Sequence, residues 1–470
     1  MPPRPVRLSP TDAVADGLER IVAEFQLPAG FPPDALAEAD LAAARWTAGD
    51  RPRVDLPFVT IDPPGSMDLD QAMHLARRDE DSTHPGGGYR VDYAIADVGA
   101  FVAIGGAIDR EAHARAVTTY LPEHRVPLHP PALSEAAASL LPGVDRPAFV
   151  WTLDLDTDGE LIRTQLQRAV VRSTARLDYA SVPDEVRTLL GEIGERRIAI
   201  ERARGGVSLR VPEQQVDRAP DGSWTVAYRV PLPTEEWNAQ ISLLTGIAAA
   251  RLMLGAGVGL LRTQPAPEEK ALHRLRASAS ALGAPWAEGT SYPEWIRTLD
   301  PAVPAHAALL HQAAGSGHGA GYTAFDGAAP APEDATHFAI AAPYAHVTAP
   351  LRRLADRFVL SLCADLAAGT NPDQAVCAAL PGLPAAMASG TQRANRVERA
   401  VVDLAECVVL AGRTGQTFAA VAIDDDLVQL QEPAVRARVK GAALPAGQAV
   451  RVRLDAVDPV TRSLSFTLAP

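Results

Sequence analysis

At 470 residues, with 47% hydrophobic and 21% charged side chains, the chain is long enough for about three domains and has the composition of a folded globular protein, not a disordered or collagen-like one. Its formal charge of −13, from 44 Lys and Arg against 57 Asp and Glu, excludes a coat-like nucleic-acid binder, because neutralising phosphates needs clustered basic side chains. Lys occurs only at Lys270 and Lys440; a GC-rich genome explains most of the arginines, although the guanidinium fork also suits bidentate phosphate contacts.

The N-terminus lacks an apolar run followed by a small-residue cleavage site, which reads as a cytoplasmic protein. Ser9-Pro10-Thr11 precedes Val14, Leu18, Ile21, Val22 and Phe25 at helical spacing, and a second, Ala-rich helix is expected from about Pro33 to Arg45. The pair fits either a helix-turn-helix or two helices packed on the next domain. Six Arg against nine acidic residues over 1–56 favours packing.

From about Leu56 the pattern becomes short strands: FVTID, QAMHLARR and YRVDYAIADV, the last two joined by the polar segment DEDSTHPGGG as a long-looped hairpin. FVWTLDLD and LIRTQLQRAVV follow, with Asp158-Gly159 as the turn between them. A long helix is expected from about Pro233 to Leu254. The apolar run Ile241 to Leu261 carries Arg251 and several glycines, so it reads as a core helix and no membrane association is expected. Helical stretches around 267–283 and 350–368 bracket a Gly/Ala/Pro-rich loop near 326–336. Cys363, Cys377 and Cys407 match neither a CxxC pair nor a disulfide framework, as suits a reducing compartment. From Arg413 onward TFAAVAI, LVQLQ, VRARV, AVRVRLDAV and LSFTLAP give five closely spaced strands, the pattern of an OB-type barrel or of an all-β dimerisation module. The fold class is therefore α+β, with a helical region over 1–55, a mixed-sheet domain over 56–412 and a small barrel over 413–470.

Two segments carry chemistry. In FVTIDPPGSMDLDQA a strand ends at Asp62, a Pro-Pro-Gly turn reverses the chain, and Asp68 and Asp70, two apart, face one side if extended. Three converging carboxylates repel unless a cation sits among them, and oxygen-only ligands favour Mg²⁺, with Mn²⁺ as substitute, over Zn²⁺. Solvated turn residues and helix caps are the simpler reading of the same acids. In PYAHVTAPLRRLADRF a helix is expected to begin at Thr348 and Pro350, with Arg352, Arg353 and Asp356 in its first two turns. Arginines there oppose the macrodipole unless an anion is present; an ion pair to Asp356 is the alternative. Carboxylates, a metal and an arginine together form a phosphoryl-transfer set.

These segments, with VDYAIADVGAFVAIGGAIDREAHARAVTTYLPEHRVPLHPPALSEAAASLLPG and RGGVSLRVPE between them, make residues 56–410 resemble the catalytic domain of the ribonuclease II/R (RNB) exoribonucleases. The resemblance implies an Mg²⁺-dependent hydrolytic 3′-to-5′ exoribonuclease acting on single-stranded RNA and releasing nucleoside 5′-monophosphates; a monomer with no obligatory protein partner is expected. On it, Asp62, Asp68 and Asp70 match the metal-binding aspartates, Asp68 and Asp70 with Arg352 form the catalytic set, and Tyr120 matches an aromatic that stacks near the 3′-terminal base. Thr348 and Arg353 join the RNA-binding set, and Glu398 matches an acidic residue near the RNA 3′ end. Gln71 stands where the family usually has a fourth acid and is expected to reach a metal-bound water. Ala349 replaces a usual serine, the N-terminal 56 residues are too few for two cold-shock domains, and the C-terminal barrel matches an S1 domain. A non-catalytic RNA binder and, through the N-terminal helices, a DNA-directed regulator are the competing readings.

Overall fold

A computed structural model of the chain describes residues 6–8, 12–80, 87–122, 125–209, 211, 213–218, 224–229, 231–316, 319–433, 435–441, 444 and 448–469. The expected cap Ser9-Pro10-Thr11 and residues 81–86 of the long hairpin loop lie outside them, as do residues 210 and 212 of RGGVSLRVPE.

The centre of the molecule is a closed five-stranded barrel of Arg53–Ile61, Gln71–Arg78, Gly88–Ala96, Asp145–Leu155 and Leu161–Leu177. Neighbours are antiparallel except at the seam, where Arg53–Ile61 runs parallel to the last strand. Side-chain alternation divides the strands between two cores. Val91, Tyr93, Ile95, Trp151 and Leu153 join the main core, whereas Ala94, Ala96, Ala148, Val150 and Val171 join a smaller one with Phe58 and Leu69. Small residues predominate in the second set.

Helix Pro233–Ala256 is long and apolar enough to cross a membrane, but it buries Ile241, Leu244, Ala248, Ala249, Ala250 and Met253 in the main core, as the sequence suggests. Leu354–Ala367 packs against it with Leu354, Phe358 and Leu362. This helix starts at Leu354 and not at Pro350. Arg353 is extended (φ −134°, ψ 124°) and forms an antiparallel bridge with Val117, which corrects the expectation that both arginines lie in its first turns.

The two N-terminal helices serve different cores. Asp12–Glu24 sets Val14, Leu18 and Ile21 against Val397, Val401 and Leu404 of the 28-residue helix Leu383–Leu410. Pro33–Arg45 sets Ala35 and Ala39 against the small-residue face of the barrel. Each is thus a packing element of the body. Among the elements unread in the sequence are the helices Asp184–Ala203 and Leu383–Leu410, and a sheet that joins Val6–Leu8 to Trp224–Arg229 and Glu213–Arg218.

At the C-terminus the five expected strands form one antiparallel sheet, running in spatial order Arg436–Arg438, Leu427–Leu430, Thr417–Ala422, Ala449–Asp458 and Ser463–Leu468. A Val439 to Phe466 bridge draws its two edges together around Phe418, Leu430, Leu454 and Phe466. The three cysteines are free, with Cys363 and Cys407 buried.

Helix Pro233–Ala256 meets the segment around Tyr344 at Gly246, where an added Cβ would run into the Tyr344 ring and lie 2.5 Å from the Ala345 carbonyl oxygen. Gly246→Ala should therefore destabilise the protein by about 1–3 kcal/mol through overpacking, despite alanine's better helix propensity. Urea unfolding of the two proteins side by side measures this, and equal midpoints would refute the close approach.

Candidate active site

The acidic loop between the first two barrel strands is fixed at several points. Asp62 N–H donates to the Leu177 carbonyl (3.1 Å) at the end of the last strand. Gly65 turns the chain with φ +84°, a conformation glycine adopts without strain. Leu69 is fully buried, donates to Ser139 Oγ (3.0 Å) and accepts from Leu140 N (3.0 Å), while the Asp70 carbonyl accepts from Ala96 N (2.9 Å). With Leu69 directed into the core, its neighbours Asp68 and Asp70 both line a cavity of about 560 Å³, and Asp62 lines it as well.

The second segment closes over the same cavity. Leu351 N–H donates to Asp70 Oδ1 (2.7 Å), and Arg352 Nε lies 3.3 Å from Asp70 Oδ2. The Arg352 carbonyl accepts from Thr118 N (3.0 Å), so both the backbone and the side chain of this residue are positioned. Arg353 pairs with Asp356 (2.9 Å), whose carboxylate also caps Ala349 N (2.7 Å). The alternative ion-pair reading therefore holds for Arg353, although its side chain still lines the cavity. Thr348 is buried in the wall.

Tyr120 and Arg125 face each other across a two-residue ladder at the cavity mouth. Tyr120 is half exposed, and its hydroxyl donates to Asp68 Oδ2 (3.3 Å). Arg125 pairs with Asp68 and with Glu135 (2.9 Å). Sequence reasoning missed Arg125, although it lies in the TTYLPEHRVP segment with Tyr120. It also missed Tyr179, Asn238 and Ser242, which line the opposite wall, with Asn238 Nδ2 donating to the Tyr179 hydroxyl (3.3 Å). Burial pushes the Tyr179 phenol up to about 12, so it stays a neutral hydroxyl.

Two expected site residues are placed differently. Glu398 is exposed on helix Leu383–Leu410 and is not among the cavity-lining residues. Val397 and Val401 turn inward against the first helix, and the next residue rotates about 100° toward solvent. Gln71 does line the cavity, but its Oε1 accepts from the Tyr93 hydroxyl, with Ser242 Oγ 3.5 Å away. That oxygen, expected to reach a metal-bound water, is thus engaged by hydroxyls of the wall.

Burial makes ionisation of two of the acids expensive. Desolvation, only partly offset by Arg352, pushes Asp62 up to about 6 and Asp70, 4% exposed, up to about 8. Among the described residues no three acidic, imidazole or thiol groups are drawn together tightly enough to enclose a metal as they stand, and Asp68 is turned to Arg125 and Tyr120. The donor set nevertheless fits a hard divalent cation. It is all oxygen, it shares one cavity, and two of its carboxylates are desolvated with a penalty that Arg352 offsets only in part.

Comparison with known proteins agrees with this architecture. The family model for the RNB domain matches residues 53–367, and that for the RNase II-type exonuclease C-terminal S1 domain matches residues 416–469. Exosome complex exonuclease RRP44 homolog A of Arabidopsis thaliana is 30% identical over 330 residues, covering 65% of this chain and 34% of the relative. Ribonuclease R of Escherichia coli (strain K12) is 25% identical over 482 residues, covering 88% of this chain and 57% of the relative. The chain thus spans between a third and just over half of the length of these relatives. Among solved structures, Mycoplasma genitalium RNase R in complex with ribose-methylated single-stranded RNA has the same fold, with a TM-score of 0.83 at 18% identity over 97% of this chain and 78% of that one. Yeast Ssd1, described as a pseudonuclease, gives 0.68 at 16% identity over 90% of this chain and 55% of that one.

The desolvated carboxylate makes a pH-dependent prediction for protein kept in EDTA. A carboxyl group whose folded pKa is raised destabilises the fold once pH exceeds its unfolded value, and the penalty grows until pH passes the folded value. Asp70→Asn keeps an oxygen for Leu351 N–H and removes the charge. It should raise the melting temperature by a few degrees at pH 8 and by much less at pH 5. Thermal melts at the two pH values decide this; an equal shift at both would mean that Asp70 is not desolvated.

Proposed function

The chain belongs to the RNB family, and on that premise we propose that it is a hydrolytic 3′-to-5′ exoribonuclease that draws the end of single-stranded RNA into the 560 Å³ cavity. The observation that carries the reading is the convergence of Asp62, Asp68 and Asp70 with Arg352 in that cavity, from two segments 281 residues apart. In the reaction a water oxygen bonds to the terminal phosphorus, the bond to the 3′ oxygen of the penultimate nucleotide breaks, and that oxygen takes a proton. The 5′-phosphate leaves on the released nucleotide.

Asp62, Asp68 and Asp70 would hold a divalent cation, Mg²⁺ or in its place Mn²⁺, which when bound supplies positive charge at the phosphate and lowers the pKa of water. Arg352, whose only ion pair among the described residues is with Asp70, is placed to meet charge developing on the phosphoryl oxygens. Arg125 holds Asp68 in place and Arg353 is occupied by Asp356, so neither is as free to move toward substrate. The exposed Tyr120 ring at the mouth offers a stacking face that every base can use. The C-terminal barrel is the element expected to hold the trailing strand, as single-strand binding by OB-type barrels implies.

A 5′-labelled single-stranded RNA incubated with Mg²⁺ should shorten progressively from its 3′ end, and Asp70→Asn should reduce the rate by more than about a hundredfold, as removing a charge-stabilising group does. Chelation should stop the reaction. RNA that is bound but left intact in both Mg²⁺ and Mn²⁺ would instead support the non-catalytic reading, which the missing fourth acid favours. Tyr120→Ala should weaken substrate capture by about tenfold while Tyr120→Phe retains it, since stacking contributes roughly 1–3 kcal/mol per base. KM values for the two variants make the comparison, and equal effects would assign the residue's role to its hydroxyl.

A further inference from the structure

We infer that Gln71 is a substrate-binding residue whose amide N–H donates to the terminal phosphodiester of the RNA, held in that orientation by the Tyr93 and Ser242 hydroxyls. The inference rests on the RNA-directed reading above and concerns how this chain works with a neutral residue beside its three acids.

Gln71 is the first residue of the second barrel strand, paired with Ile95, and its side chain reaches the cavity from the floor. On the wall side its Oε1 accepts the Tyr93 hydroxyl, and Ser242 Oγ lies 3.5 Å from the same oxygen and 3.0 Å from the Tyr93 oxygen. Tyr93 is fully buried and its phenol is pushed well up by desolvation, so it remains a proton donor across the usable pH range. The primary amide is planar. Its oxygen is engaged by two hydroxyls, its nitrogen has no protein acceptor among the described residues, and the residue lines the cavity that Asp62, Asp68 and Asp70 also line, so the nitrogen is the group we assign to that space.

Electrostatics favours the same orientation. In the metal-free protein, the opposite one would set a carbonyl oxygen against three carboxylates, whereas this one offers two N–H donors to an acceptor-rich cavity. The ligand class follows: a phosphodiester oxygen, charged and acceptor only, entering between the Gln71 amide and Arg352. A glutamine here adds a grip on the anion without adding a fourth negative charge to repel it.

The test uses the full chain in EDTA, so that metal binding plays no part, with anisotropy of a labelled single-stranded RNA as the readout. Gln71→Met has similar length and no charge, and leaves Tyr93 and Ser242 bonded to each other. It should weaken binding by about tenfold, the scale of a charge-assisted hydrogen bond. Against RNA whose terminal linkage is a neutral methylphosphonate, the same substitution should have little effect, because the charged acceptor is already gone. Gln71→Glu keeps the acceptor for Tyr93, and should weaken RNA binding in EDTA without tightening Mn²⁺ binding, measured separately by electron paramagnetic resonance on chelator-free protein. Independent, multiplicative losses from Gln71→Met and methylphosphonate would overturn the inference while leaving the RNA-directed reading intact. Tighter Mn²⁺ binding by Gln71→Glu with unchanged RNA affinity would overturn it too, by turning the oxygen toward the metal. Failure of the wild-type chain to bind RNA at all would overturn both.

Discussion

One contact organises the acid-lined cavity: the Asp70 carboxylate against the Leu351 N–H and the Arg352 guanidinium, joining the acidic loop to a segment 281 residues later. A carboxylate 4% exposed is unfavourable in its charged form unless hydrogen bonds and a cation surround it. That requirement explains the backbone on both sides. The acidic loop is fixed through Leu69 to Ser139 and Leu140, and the later segment departs from helix at Arg353 to bridge Val117. A helix begun at Pro350 would have left the Leu351 N–H unpaired but committed the Arg352 carbonyl to its own ladder. Starting at Leu354 leaves Leu351 N–H free for Asp70 and the Arg352 carbonyl free for Thr118.

The acidic balance of the whole chain then reads differently at the site. Arginines are plentiful, but most of those near the cavity already have partners: Arg125 with Asp68 and Glu135, Arg353 with Asp356. Buried ion pairs of this kind position groups more than they attract ligands. The attraction for a polyanion is therefore carried by few groups, Arg352 foremost, and is local. An overall charge of −13 excludes indiscriminate coating of nucleic acid and is compatible with capture of one strand end in a cavity where field lines are focused by low-dielectric walls.

Much of this was legible in the sequence because the relevant signals are short-range. The alternation in YRVDYAIADV and FVWTLDLD has a physical counterpart in the two cores that the barrel faces, and the spacing of Asp62, Asp68 and Asp70 around Pro-Pro-Gly places all three acids on the same cavity. The five strands after Arg413 stand out for the same reason, with polar turns between apolar runs. What escaped depends on distant partners. Arg125 has no local signature, and becomes a site residue only because a two-residue ladder sets it beside Tyr120. Glu398 sits in a helix whose inward face is chosen by Val14, Leu18 and Ile21 nearly 400 residues earlier, and that choice turns it outward. Asp184–Ala203 buries glycines at positions 191 and 194 against Trp237, a close approach that a search for apolar stripes passes over.

The neutral residue at position 71 has a cause in the same charge accounting. Asp62 and Asp70 are already raised by desolvation, and each is raised further by its acidic neighbours. A fourth carboxylate on the adjoining residue, against the buried Tyr93 ring, would either take a proton or force one of the others to do so. Glutamine avoids that conflict while keeping a group that two hydroxyls can orient. While no cation is bound, like-charge repulsion thus weighs against a further acid adjoining Asp70, and the Tyr93 and Ser242 hydroxyls orient the uncharged residue that stands there.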